Sequence, residues 1–184
     1  TELAGRTLGI VGFGRIGQLV AERARAFGMQ IVTADAFLRP DSPALLRNDA
    51  CLLTLDDLLA ASDVVTLHVP LTAETNNLIG AAQLARMKPA ALLINTSRGE
   101  VVDEPALLAA LEAKQIAGAA LDVRHAEPPA PSGFDALPHV ILLPHLGAFT
   151  HEAQARVIDA VCRAVRLVLA GQPAAEHVTL PEPS

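Results

Sequence analysis

The stretch Leu8 to Gly17, LGIVGFGRIG, constrains this chain more than any other. Leu8, Ile10 and Val11 make a short apolar run suited to a buried parallel strand, and the run stops at Gly12. Beyond it Ile16, Leu19, Val20, Ala24 and Phe27 recur at helical spacing, so the pattern is strand, glycine turn, amphipathic helix. In such a turn Gly12 permits the tight reversal, Gly14 lets a pyrophosphate approach the backbone, and Gly17 lets the helix lie close to the strand. The N–H groups of Arg15, Ile16 and their neighbours then face the phosphates, with the helix dipole adding ~0.3–1 kcal/mol for an anion. A Gly-x-Gly-x-x-Gly string alone also fits a turn that merely connects two elements. Here Gln30 to Ala34 supplies a second strand ending on Asp35, the acidic residue a ribose 2′-hydroxyl requires, and a dinucleotide site is the expectation.

At 184 residues the chain has room for one substantial core and is expected to form one domain. Apolar residues make up 51% and charged ones 18%, which excludes a disordered or fibrous chain. A net charge of -6 without a basic run argues against a nucleic-acid surface, and 3% aromatics are too few for a base-stacking platform. No apolar stretch is long enough to span a bilayer, and TELAGR lacks the layout of a signal peptide, so the cytosol is the default location. Cys51 and Cys162, far apart in apolar surroundings, read as buried free thiols rather than a disulfide. The chain opens at Thr1, enters its first strand by residue 7 and closes on the proline-bearing tail Gln172 to Ser184. It reads as a domain cut from a longer polypeptide.

Strands and helices alternate along the rest. Ala36 to Asn48, with two prolines, is a connection with a turn of helix, and Ala50 to Leu53 is a short edge strand. Thr54 is an N-cap, with Asp57 in the first turn of a helix reaching about Ala61. Val64 to Val69 is a β-branched strand ending at Pro70. After the loop LTAETN a short helix spans Ala81 to Met87, and Ala91 to Asn95 is the next buried strand, delivering Thr96, Ser97, Arg98 and Gly99 at its end. Asp103 caps a helix with Pro105 in its first turn and Leu107, Leu108 and Leu111 on its apolar face. Gly118 to Leu121 ends on Asp122, and Val140 to Leu143 ends before Pro144 and His145. Thr150 opens the longest helix, which stops near Gly171. That helix carries two apolar rows, one on Val157, Val161, Ala164 and Val168, the other on Ile158, Cys162, Val165 and Leu169. It either packs on the sheet through a wide face or gives one row to a partner subunit or further domain. The alternation, with strands apolar on both faces, predicts an α/β doubly wound parallel sheet. This is a Rossmann fold of about seven strands in the order 3-2-1-4-5-6-7, covered on both sides.

Ligands of such a sheet sit at the carboxyl ends of its strands, which singles out Arg98, Asp122, Glu127 and His145. Taken singly each has a plain structural explanation: a solvated turn arginine, a helix-capping aspartate, a solvent-facing glutamate before Pro128, a packed histidine after Pro144. Together they lie in loops that one sheet edge collects beside the glycine turn, and their chemistry is complementary. A hydride moving between nicotinamide and a carbonyl carbon needs a proton donor for the oxygen, a role that suits His145. Glu127 beside the ring would favour the imidazolium and orient it, assistance typically worth roughly 10²- to 10⁴-fold. Arg98 offers a fork to the carboxylate of a 2-keto or 2-hydroxy acid, and Asp122 a hold on the nicotinamide carboxamide. His68 packs near the adenosine side, His125 is the rival proton donor, and His139, His151 and His177 read as surface residues. No pair has metal-ligand spacing, so no metal is expected. NAD is expected over NADP, because Asp35 would repel a 2′-phosphate and the following arginine is Arg39.

The motifs run almost end to end: VGFGRIG with Asp35, HVPLT at His68 to Thr72, INTSRGEVVDE at Ile94 to Glu104, AALDV with EP at Ala119 to Pro128, and LPHLGAFTHEA at Leu143 to Ala153. In these the chain resembles the nucleotide-binding domain of the D-2-hydroxyacid dehydrogenase family, especially its D-3-phosphoglycerate dehydrogenase branch. The resemblance implies Arg98, Glu127 and His145 as the catalytic arginine, glutamate and histidine. It implies NAD contacts at Arg15, Ile16, Asp35, Val69, Thr96, Asp122 and the His145 to Ala148 turn, and Pro70, Ser97 and Gly147 complete the candidate set beside the three glycines. Two departures stand out. Arg124 and His125 replace aromatic and acidic residues common after the Asp-Val pair, and Phe149 occupies a position where something smaller is usual.

By the same resemblance a second domain, made from segments before and after this one, closes over the substrate, and the protein is a homodimer built through this domain. The expected reaction is reversible oxidation of a D-2-hydroxy acid, with 3-phosphoglycerate, glyoxylate or hydroxypyruvate, and lactate-like acids as the open candidates. These residues on their own are expected to bind NAD and turn over slowly or not at all. The alternative from another class is an NAD-sensing, corepressor-like module without significant turnover.

Overall fold

The structure, a computed structural model, describes residues 2–174; His177 and the rest of the tail lie outside the described residues. Its strands are β1 (Thr7–Val11), β2 (Gln30–Ala34), β3 (Ala50–Leu52), β4 (Val64–Leu67), β5 (Leu92–Asn95), β6 (Gly118–Leu121) and β7 (Val140–Leu142). Between and after them run α1 (Arg15–Ala26), α2 (Pro43–Asn48), α3 (Leu55–Ala61), α4 (Ala81–Leu84), α5 (Glu104–Glu112) and α6 (His151–Leu169). Every strand pair is parallel, and the order across the sheet is β3-β2-β1-β4-β5-β6-β7, the doubly wound order expected from the alternation. The chain divides into two compact units that meet between His145 and Leu146.

Local chemistry sets the element boundaries. The side chains of Thr54, Asp103 and Thr150 each accept a hydrogen bond from the backbone N–H three residues on, which caps α3, α5 and α6. Strand β4 stops at Leu67, two residues short of the expected end, because the last paired residue is the one opposite Asn95 and Pro70 lies just ahead. Helix α4 ends at Leu84 rather than Met87. The N–H groups of Arg86 and Met87 reach back only three residues, a tightening that precedes Pro89.

Side chains alternate between two cores. On one face Leu8, Ile10 and Ile31 pack with Ala21 and Ala24 of α1 and Leu45 of α2. On the other, Val11, Val65, Leu67, Leu93 and Leu121 pack with Leu58, Leu84, Leu107 and Leu111 from α3, α4 and α5. Full burial of each such leucine contributes about 1.5–3 kcal/mol. Helices cover both faces, as expected, but unevenly. Leu92 shares the α1 face through the register Leu8, Val64, Leu92, yet it is 43% exposed, and Ile141 of the edge strand is 61% exposed. Both cysteines are free but exposed rather than buried. Cys51 points outward from edge strand β3, and Cys162 sits on α6, none of whose residues is buried. The apolar rows of α6, including Val161 and Val165, are exposed, as is Phe149. His139 is half-buried rather than on the surface.

The βα junction is tight. A methyl on Gly17 would lie 2.3 Å from the carbonyl oxygen of Gly12, a backbone atom that cannot swing aside. Gly17→Ala is expected to cost about 1–3 kcal/mol through overpacking. The measurement is a urea midpoint that falls with an unchanged m-value; an unaltered midpoint would contradict this close helix–strand approach.

Candidate active site

The parallel register brings the strand ends into line. Ala34, Val11, Leu67, Asn95, Leu121 and Leu142 form one row across six strands. The residues that follow them, Asp35, Gly12, His68, Thr96, Asp122 and Leu143, therefore leave the sheet along a single edge.

Gly12 adopts φ +91°, and a methyl there would lie 2.8 Å from the His68 backbone and 2.9 Å from the Val69 side chain. The glycine turn thus rests on the end of β4, with Val69 half-buried and Pro70 exposed. Gly14 faces open space, with no atom within 4 Å of a built Cβ. Helix α1 begins beyond it with no side-chain cap and no acidic residue in its first turn, and Arg15 and Ile16 are exposed. Its leading N–H groups are those a helix leaves unpaired, so an anion can take them. Asp35 accepts the Phe13 N–H at 2.7 Å through one oxygen and the Phe37 N–H at 2.9 Å through the other. Each oxygen keeps a second lone pair for a hydroxyl. Asp35 therefore shapes the glycine turn as well as offering an acceptor. Arg39 is paired with Asp41 at 3.1 Å on the exposed surface. These residues fit a dinucleotide: an open backbone at Gly14, an uncapped helix start and a carboxylate at the end of β2. His68 lies half-buried with Nε2 3.0 Å from Thr66 Oγ1, and burial pushes its pKa down by disfavouring the charged ring.

Further along the edge the turn after β5 is folded by Asn95, which is 1% exposed. Its amide oxygen accepts Ser97 N–H and Ser97 Oγ–H, and its amide nitrogen donates to Arg98 O at 2.8 Å. Ser97 is buried by this arrangement, while Thr96 and Arg98 are exposed. The Arg98 guanidinium donates through Nη1 to Ser97 O at 2.6 Å, so part of its fork is engaged within its own turn. Asp122, at the end of β6, is buried, and its carbonyl accepts the His145 N–H at 2.8 Å. His145 has φ +56°, a left-handed backbone that costs on the order of 1–2 kcal/mol. Its ring Nδ1 lies 2.7 Å from Glu127 Oε2.

The His145 hydrogen bond is the largest influence on Glu127 and holds its carboxyl below the usual range. Desolvation is the next influence and opposes it, but the Arg124 N–H and the charges of His145 and Arg98 add to the lowering. Asp122, Glu127, Leu143 and His145 line a cavity of about 240 Å³, together with Arg124 and Pro128. A larger cavity, about 530 Å³, adjoins Asp103, Glu104 and Arg124; His125 lines that one instead, so the ring Glu127 holds is that of His145. Gly147 and Ala148 belong to the second unit, where Ala148 O accepts a hydrogen bond from Gln154.

Two participants were not anticipated: Asn95 as the latch of the Arg98 turn, and Glu104, which pairs with a buried Arg124. The unusual residue at position 124 was the available signal for the second. Among the described residues no group of histidine, cysteine or acidic side chains is placed to hold a metal, and no helix is long and apolar enough to cross a membrane.

Relatives fit this picture. The chain is 46% identical over 181 residues to a D-3-phosphoglycerate dehydrogenase of Synechocystis sp., covering 98% of this chain and 32% of that one. It is 47% identical over 161 residues to a glyoxylate reductase of Thermococcus litoralis, covering 88% of this chain and 48% of that one. A D-lactate dehydrogenase from Lactobacillus jensenii, solved with NAD+, superposes with a TM-score of 0.87 at 32% identity, covering 98% of this chain and 57% of that one. The chain thus spans about a third of the length of the first of these curated relatives and about half of the second. Residues 1–147 match the family model described as D-isomer specific 2-hydroxyacid dehydrogenase, NAD binding domain. The chain belongs to the D-isomer specific 2-hydroxyacid dehydrogenase family, and carries that family's NAD-binding domain.

Proposed function

We propose that the full-length protein interconverts a D-2-hydroxy acid and its 2-keto acid with NAD, and that residues 1–184 are its dinucleotide-binding domain. The observation that carries this reading is the Glu127–His145 hydrogen bond at 2.7 Å, set on the same sheet edge as the open glycine turn. An ionised carboxylate only accepts, so Nδ1–H donates to Glu127 and Nε2 is the atom left for substrate. His145 then takes the proton of the hydroxyl during oxidation and returns it to the carbonyl oxygen during reduction. Bound NAD supplies or accepts the hydride. Arg98 receives the substrate carboxylate, for which it must turn its Nη1 from Ser97 O. The glycines, Arg15 and Ile16 take the pyrophosphate, Asp35 the ribose, and Val69, Pro70, Thr96, Ser97 and Asp122 the remainder of the cofactor. The substrate is a small 2-hydroxy acid, and 3-phosphoglycerate is the first to test because a relative 46% identical bears that name. A homodimer and a cytoplasmic location belong to the same proposal through the family resemblance.

The direct test is full-length protein with NADH and a panel of 2-keto acids, 3-phosphohydroxypyruvate, glyoxylate and pyruvate among them. Turnover of at least one, and a kcat lowered roughly 10²- to 10⁴-fold by His145→Gln with a much smaller change in NADH affinity, is the expected outcome. No turnover with any member, or an unaffected variant, would refute it. Asp35→Ala is expected to raise the Kd for NADH by about tenfold or more, since a hydrogen bond to a charged group is worth about 1.5–3 kcal/mol. Calorimetric titration checks this, and an unchanged Kd contradicts the ribose assignment.

The pH dependence follows from Glu127. Because its folded-state pKa is depressed, the contribution of its contact with His145 is present above the ordinary glutamate pKa. It disappears as pH falls through the lowered value. In ¹³C NMR titrations the Glu127 carboxyl should have its midpoint below the ordinary range, and His145→Gln should raise it; equal midpoints in the two proteins would show that the contact is not made in solution.

A further inference from the structure

Arg124 is 7% exposed although it is charged, and it stands in a loop. Its Nε and Nη2 donate to the two carboxylate oxygens of Glu104 at 2.8 and 2.9 Å, a fork-to-fork pair. The guanidinium also lies 4.6 Å from the Phe134 ring centroid, and Nη2 is 3.4 Å from Ser132 Oγ. Glu104 opens α5, directly after the capping Asp103, so it is fixed to a rigid element. Its Oε1 takes a second bond, from His125 N–H at 2.7 Å. Burial works against the ionised form of Glu104, but the bonds from Arg124 and His125 outweigh it and keep the carboxyl below its ordinary range.

The loop between Arg124 and Ser132 is thus tied to α5 at its start through Glu104, and its far end meets Arg124 again through Ser132. Glu127 lies inside that span, and its Oε1 accepts the Arg124 N–H at 3.4 Å while Oε2 holds His145. The opposite side is closed as well: a methyl on Gly99 would lie 2.0 Å from the Arg124 carbonyl carbon, so the Arg98–Gly99 turn packs backbone to backbone on the Arg124–His125 peptide. One residue therefore joins the loop of the carboxylate to the turn of the guanidinium.

We infer that Arg124 is a positioning residue: its buried pair with Glu104 fixes loop 124–132 so that Glu127 stays seated on the His145 ring. Arg124 does not touch substrate in this account; it acts through Glu127. The consequence for turnover rests on the dehydrogenase reading, whereas the consequence for Glu127 does not.

The experiment uses the full-length protein with Arg124→Gln, Glu104→Gln, the double variant and Arg124→Lys. Both single variants should lower kcat on the order of 10- to 100-fold while leaving the KM for NADH unchanged. The double variant should be no worse than the poorer single one, because the two side chains act as a unit. Arg124→Lys, which keeps the charge but has one nitrogen where the fork used two, should recover part of the loss. In the same variants the ¹³C titration midpoint of Glu127 should rise, a change that simple loss of stability in a folded protein does not produce. Folded variants with wild-type kcat and an unmoved Glu127 midpoint would overturn the inference. Failure of both single variants to fold would overturn it too, since the pair would then serve the domain's stability and not the loop's placement. If the wild-type protein turns over no 2-keto acid, the functional reading fails, and the Glu127 titration alone decides the role of Arg124.

Discussion

The register of the parallel sheet is the constraint on which everything else depends. Because neighbouring strands run in the same direction and end in step, Ala34, Val11, Leu67, Asn95, Leu121 and Leu142 stand in one row. A slip of one residue in any pair would turn that strand's side chains to the opposite face. The cores oppose such slips, since Ile10 and Leu93 are completely buried on opposite faces. The hydrophobic burial that holds the strands in register therefore also sets where Asp35, Gly12, Thr96 and Asp122 leave the sheet. Chemistry at this edge is inherited from packing beneath it.

Past the edge, polar groups take over from apolar ones, and several do two jobs. Asp35 binds two backbone N–H groups, one of them in the glycine turn, so the carboxylate proposed to meet a ribose also shapes that turn. Asn95 spends its whole amide on the Ser97–Arg98 turn at almost complete burial. Leaving such a group unpaired costs about 1–3 kcal/mol, so the turn and the amide stand or fall together. Gly99 carries the same logic into sterics: the missing side chain is what allows two functional loops to touch.

Much of this was legible along the chain because its causes are local. The glycine turn, the capping residues Thr54, Asp103 and Thr150, and the alternation of strand and helix each depend on a few consecutive residues, and the strand order followed from their sequence. What escaped notice depends on residues far apart. The Arg124–Glu104 pair joins positions separated by 20 residues, and only the unusual residue at 124 hinted at it. The exposure of Cys51 was hidden for a related reason: apolar neighbours mark a strand, but not which side of an edge strand is left uncovered. The pairing of Glu127 with His145 was expected, although His125 is nearer along the chain and was the rival proton donor. The fold brings His145 there from 18 residues away, because β6 and β7 are adjacent and Asp122 O anchors the His145 backbone.

That anchoring matters because the contact between His145 and Glu127 is itself weak. Their side chains are 47% and 39% exposed, and solvent screens such a pair. An interaction of this kind cannot hold two loops in place against their own mobility. The geometry has to be imposed from outside the pair: by the His145 N–H on Asp122 O, by the left-handed backbone at His145, and by the link from Glu104 to the buried Arg124. This division suits proton transfer. In the proposed reaction, a ring held by backbone and neighbours, with only a screened carboxylate on Nδ1, would keep its orientation, so the scaffold would not have to move as Nε2 gained or lost a proton.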